Sequence, residues 1–140
     1  MKKLNYSLLV ISLLISLVSC QSKTKNFLIK KWDCVQVENI SLIDKNFATA
    51  QDTAVAMQTE AALKALSWTF NSNNTYQCSV GNRVTVDGTY ELTDDEKTIT
   101  CTSSSKNSIN SYTITSISEF QLILTSTGTA VPVILHFSPN

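Results

Sequence analysis

From residue 67 onward, apolar and polar side chains alternate with a period of two. That is the pattern of antiparallel strands with one dry face and one wet face. The clearest stretch sets Val84, Val86, Gly88, Tyr90 and Leu92 against Arg83, Thr85, Asp87, Thr89 and Glu91. Gly88 within it marks a bend or a close backbone approach. Trp68 and Phe70 precede Asn71-Ser72-Asn73-Asn74, a turn of residues that tolerate left-handed backbone. Tyr76, Cys78 and Val80 then alternate, and Gly81-Asn82 turns the chain again. Asp94-Asp95-Glu96-Lys97 reads as the next turn, before Ile99 and Cys101. Tyr112, Ile114 and Ile117 mark one further strand, and Phe120, Leu122 and Leu124 another. After a turn at Thr127-Gly128, the last strand carries Val131, Val133, Leu135 and Phe137, with Pro132 on the opposite face. The first strand is residues 28–38, containing Trp32.

One stretch breaks the two-residue period. Thr49 and Asp52 form a capping-box pattern, and strong helix formers follow as far as Leu66. Phe47, Ala50, Ala54, Met57, Ala61 and Ala65 fall on one face and predict the packing stripe. Glu60 and Lys64 form an i,i+4 pair in the favourable order. The expectation is a mainly β chain, an antiparallel up-and-down barrel of about eight strands with one helix between the first two. Such a barrel is either filled by its own side chains or holds one small ligand.

The first residues follow a different logic. Lys2 and Lys3 precede the apolar run 8–18, interrupted only by Ser12 and Ser16. Its length fits the apolar region of a secretory signal and falls short of a membrane span. The run ends Leu17-Val18-Ser19-Cys20, which resembles the lipobox of bacterial lipoproteins. The resemblance implies cleavage before Cys20 and acyl chains on that residue. Stable anchoring needs more than one such chain. Residues 1–19 then read as signal peptide, 20–26 as lipidated Cys and polar tether, and 27–140 as the barrel domain. The sequence lacks acidic sorting residues just after Cys20. That favours the outer membrane as the destination.

Composition changes meaning once the signal is set aside. The 140 residues carry 11 basic and 11 acidic side chains, and 43% of them are hydrophobic. Loss of Lys2 and Lys3 makes the remaining domain mildly acidic, without the basic footprint of a nucleic-acid binder. With only 16% charged residues the chain is not of the disordered class.

Cys34, Cys78 and Cys101 remain after Cys20 is assigned to lipid. All three lie in β-like runs, as buried thiols or with one disulfide, Cys34–Cys78 or Cys34–Cys101. No Cys-x-x-Cys spacing points to zinc or a redox motif. His136, the only histidine, falls on the polar phase of the last strand. Asp94, Asp95 and Glu96 are consecutive in a turn, where neighbours diverge and water screens them. No metal, cofactor or catalytic constellation is therefore expected, and the chain reads as a non-enzyme.

Residues from Lys30 to the C-terminus resemble bacterial lipocalin-like lipoproteins. The resemblance rests on Trp32, on Trp68-Thr69-Phe70 before the Asn-rich turn and Tyr76, and above all on Gly88-Thr89-Tyr90-Glu91-Leu92. The acidic turn with Lys97 and Ile99, and Tyr112-Thr113-Ile114, continue it. Lys30 stands where classical members have Gly. The resemblance implies a small calyx-like barrel. Trp32, Trp68, Phe70, Tyr76, Tyr90 and Tyr112 are in phase with their strands' apolar faces and would line its interior. Two functions follow as expectations. The first is binding of a small, mainly apolar ligand by a membrane-anchored barrel. The second is a non-catalytic structural or protein-interaction module of the cell envelope.

Overall fold

A computed structural model describes residues 22–40 and 49–140. The lipobox with Cys20, and Phe47, lie outside the described residues. Eight antiparallel strands close into one up-and-down barrel, each paired with its sequence neighbours and β8 returning to β1. They are β1 Lys31–Glu38, β2 Leu66–Phe70, β3 Thr75–Val80, β4 Arg83–Leu92, β5 Thr98–Ser103, β6 Ile109–Ile117, β7 Leu122–Ser126 and β8 Ile134–Pro139. Helix α1 is Lys23–Leu28, ahead of β1, and helix α2 is Ala50–Lys64, between β1 and β2.

Closure follows from the alternation, because each strand turns one row of side chains inward. Trp32, Cys34 and Val37 come from β1, Trp68 and Phe70 from β2, Tyr76 and Cys78 from β3, and Tyr90 from β4. Ile99 and Cys101 of β5, Leu122 and Leu124 of β7, and Leu135 and Phe137 of β8 complete the buried set. Gly88 is needed where it stands, for a Cβ there would collide with the Thr102 carbonyl and come 2.9 Å from the Tyr76 ring. The turns fall at the positions read for them, with positive φ at Asn74, Gly81, Glu96 and Gly128.

Irregularities in register explain where strict alternation fails. The β1–β8 pairing shifts between Cys34 and Gln36, so Val35 is exposed and the inward phase resumes at Val37. A similar shift in β6 lies between Ile114 and Ser116. A bulge adds one unpaired residue and moves the later side chains to the other face.

Several expected boundaries move. The stretch read as the start of the first strand is helical at Leu28, and α1 takes in residues 23–26 of the expected tether. Ser22 caps it, its side chain accepting from the Lys25 N–H at 3.0 Å. Phe120 lies in the β6–β7 turn and is 78% exposed, rather than inside a strand. Val131 and Pro132 precede β8, so proline is absent from that strand's interior.

Helix α2 starts as expected, with Thr49 and Asp52 each bonding the other's backbone N–H. Glu60 and Lys64 pair at 2.6 Å. The predicted packing stripe is incorrect. Ala50, Ala54, Met57, Ala61 and Ala65 are exposed, while Asp52, Ala56, Glu60 and Leu63 are the half-covered positions. Alanines occur on every side of this helix and cannot fix its rotation. Leu63, the one large residue against the core, sets it instead.

Candidate functional site

The six aromatic residues read as cavity lining come from five strands and all reach the interior. Trp32, Trp68, Phe70, Tyr76 and Tyr90 are buried, and Tyr112 is partly buried against the same core. Five of them meet ring to ring. The Trp68 ring centre lies 6.0 Å from Phe70, 6.4 Å from Tyr76 and 5.4 Å from Tyr112. Phe137 joins the group at 5.7 Å from Trp68. Phe70 packs edge-on against Tyr90 at 5.2 Å and stacks on Tyr76 at 6.4 Å. These are the spacings of aromatic pairs in contact. The rings thus occupy one another's space in the middle of the barrel.

Trp32 sits apart from that cluster, at the end of the barrel next to α1. Its indole N–H donates to the Leu28 carbonyl at 3.0 Å, and the Lys30 ammonium lies 5.1 Å from its ring. The Lys30 carbonyl accepts from the Phe70 N–H. Lys30 is not among the residues of positive φ, so this bend does not demand the family's glycine. The Tyr90 hydroxyl donates to the Asn71 carbonyl at 2.9 Å and ties the β2–β3 turn to β4.

The three thiols share this interior as free cysteines. The expected alternatives are settled in favour of free, buried thiols. Burial pushes Cys78 and Cys101 up to about 12, with the Cys78 sulfur adding to the effect at Cys101. Burial likewise raises Tyr76 to about 12 and Tyr112 further still. Groups so desolvated stay neutral at ordinary pH and make poor nucleophiles or bases. His136 belongs to the other face of its strand. It stands between Leu135 and Phe137, whose side chains turn inward, and its Nε2 lies 2.8 Å from Glu38 Oε1. That approach falls short of hydrogen-bond geometry, so Nε2 stays unbonded despite the short distance. The strand thus holds the histidine away from the inward thiols. Among the described residues, no cluster of His, Cys, Asp and Glu is arranged to hold a metal ion.

A cleft of about 410 Å³ lies outside the barrel interior, between α1 and the β2–β3 and β4–β5 turns. Ser22, Lys25, Asn74, Tyr90, Thr93 and Glu96 are among its walls. The Lys25 ammonium donates to Asn74 Oδ1 at 2.7 Å. Ser22 and Thr24 hydrogen-bond to the Glu96 carboxylate and hold it below the usual carboxylate range. Of the six expected lining residues, Tyr90 alone borders this cleft. The cleft is open and about half polar, unlike the enclosed apolar cavity expected for the ligand. Sequence reading missed it because residues 21–26 read as a tether. The signal was Ser22 at the N-cap position, followed by an apolar anchor at Leu28.

No family model matches the sequence, and no curated protein matches it. Among solved structures, a DUF4847 family protein from Bacteroides vulgatus is similar, with a TM-score of 0.52 and 14% identity. The match covers 81% of this chain and 94% of the other. Identity that low makes this a likeness of fold. It agrees with the antiparallel up-and-down barrel expected from the strand pattern.

Proposed function

We propose that this chain is a lipid-anchored, non-catalytic barrel module of the bacterial cell envelope, held at the outer membrane by acyl chains on Cys20. In this reading the barrel is a solid scaffold that presents its rim to an envelope protein. The observation that carries the choice is the aromatic cluster. Trp68, Phe70, Tyr76, Tyr90 and Tyr112 make ring contacts with one another or with Phe137 where a ligand would have to sit. A specific small-molecule site normally offers a preformed apolar cavity of about 300 Å³ or more. The non-catalytic part rests on the outward placement of His136 and on thiols kept neutral by burial.

The competing reading is a lipocalin-like carrier with a small apolar ligand among Trp32, Trp68, Phe70, Tyr76, Tyr90 and Tyr112. Native mass spectrometry of the chain extracted from its own membranes separates the two. The scaffold reading expects the bare acylated mass and, in intact cells, a discrete crosslinked partner from a photocrosslinker placed at Ile109. A stoichiometric small-molecule adduct that survives delipidated buffer, with crosslinking that recovers only this chain, overturns it.

A further inference from the structure

We infer that the α1 end of the barrel lies on the bilayer surface, with Phe120 entering the headgroup layer and the α2 end directed away. The inference rests on the lipid anchor proposed above and adds an orientation to it.

Chain length sets the distance between the anchor and the barrel. From Ser22 onward the backbone is fastened to the barrel. Ser22 caps α1, Leu28 is fully buried, and the Trp32 indole clasps the Leu28 carbonyl. Lys25 reaches Asn74 in the β2–β3 turn, and Ser22 and Thr24 reach Glu96 in the β4–β5 turn. Helix α1 therefore bridges strand turns at one end of the barrel and is no part of a flexible leash. What remains between an acylated Cys20 and the fastened Ser22 is two residue steps, at most about 7 Å of extended chain. A tether of that length keeps this end within about 7 Å of the acylated residue, close against the lipid headgroups.

The surface brought down by that constraint is suited to the contact. Phe120 projects from the β6–β7 turn at this end and is 78% exposed, the largest exposure among the big apolar side chains described. Its neighbour Glu119 gives a backbone carbonyl to the Lys30 ammonium at 3.2 Å, which braces the turn against the start of β1. Lys23 lies 5.8 Å from the Phe27 ring on α1. An aromatic side chain flanked by lysine stems fits the boundary between acyl chains and headgroups. Carboxylates of Asp94, Asp95 and Glu96 share this end with the lysines. The contact therefore does not rely on anionic lipid, and salt leaves it unchanged.

The test uses the full acylated chain, isolated from membranes and reconstituted into phosphatidylcholine vesicles. Nitroxide labels are placed by Q121C, which keeps Phe120, and by V84C at the far end. Acylation is read by mass spectrometry, and the labels by their relative accessibility to oxygen and to a water-soluble nickel chelate. The expected result is an oxygen-to-nickel ratio severalfold higher at 121 than at 84, unchanged by added salt. An acylated, vesicle-bound chain with equal ratios, or with the higher ratio at 84, overturns the orientation and leaves the anchor standing. A chain that carries no acyl group overturns both.

Discussion

The two helices stand at opposite ends of the barrel and behave in opposite ways. At one end α1 has six residues and a single apolar anchor, yet Leu28 is fully buried and the helix is bonded to two strand turns. At the other end α2 has fifteen residues, a complete capping box and an internal ion pair, yet buries none of its side chains. Met57 and Val55 stay exposed on it, and Val80, Val84 and Ile109 are exposed at nearby strand ends. Local helical merit therefore does not decide which helix belongs to the core. One large apolar side chain placed over the barrel mouth outweighs a well-formed helix of alanines, because tertiary burial supplies most helix stability.

Leu28→Ala tests the contrast between the two helices most severely. It empties a fully buried site in the core cluster, so the expected loss is about 2–5 kcal/mol in urea unfolding. Trp32→Phe comes next. It removes the indole N–H and part of the ring volume, and leaves the Leu28 carbonyl with the Lys30 N–H at 2.8 Å as its remaining donor. The lost hydrogen bond and packing volume together are expected to cost about 1–3 kcal/mol. If either change leaves the urea midpoint where it was, α1 is not part of the cooperative unit.

The thiols sharpen the same contrast through pH. Cys78 and Cys101 have folded values near 12, above the roughly 8.5 of an unfolded cysteine. A raised folded value means that the unfolded chain loses its protons first. Stability is thus complete below about 8.5 and falls as pH climbs toward 12. Circular dichroism should show alkaline unfolding in that window, displaced upward in a Cys78→Ala, Cys101→Ala double variant. Cys34 is also raised by burial, but a backbone hydrogen bond at Gln36 and, to a lesser degree, the Lys64 ammonium on α2 oppose the rise. It should react with an aromatic disulfide reagent ahead of the other two.

Much of this was legible in the sequence, and the failures have specific causes. Period-two alternation carried the barrel because each of Trp68, Tyr76, Tyr90 and Leu124 must face inward for the sheet to close. The bulges in β1 and β6 were not legible, since a register shift depends on the partner strand. The α2 stripe was misread because alanines supply a pattern without the side-chain volume that would enforce it. The six aromatic residues were correctly placed inside. Whether they would line a space or fill it turned on ring-to-ring distances that no single strand encodes.

The smallest expected effect tests the weaker end alone. Thr49→Ala removes one half of the capping box and loosens the other, since the Thr49 hydroxyl accepts from the Asp52 N–H and also holds the Asp52 carboxylate that bonds the residue-49 N–H in return. Such a loss costs a helix about 0.5–2 kcal/mol. In α2 that cost should stay local, because no side chain of the helix is buried and its opening need not expose the barrel. Amide exchange across residues 50–64 is expected to quicken several-fold while the urea midpoint of the barrel stays fixed. Ser22→Ala is the matching change at the other cap, and it should lower that midpoint, because α1 cannot fray without releasing Leu28. A midpoint that falls as far for Thr49→Ala as for Ser22→Ala would show the two ends to be equally part of the core.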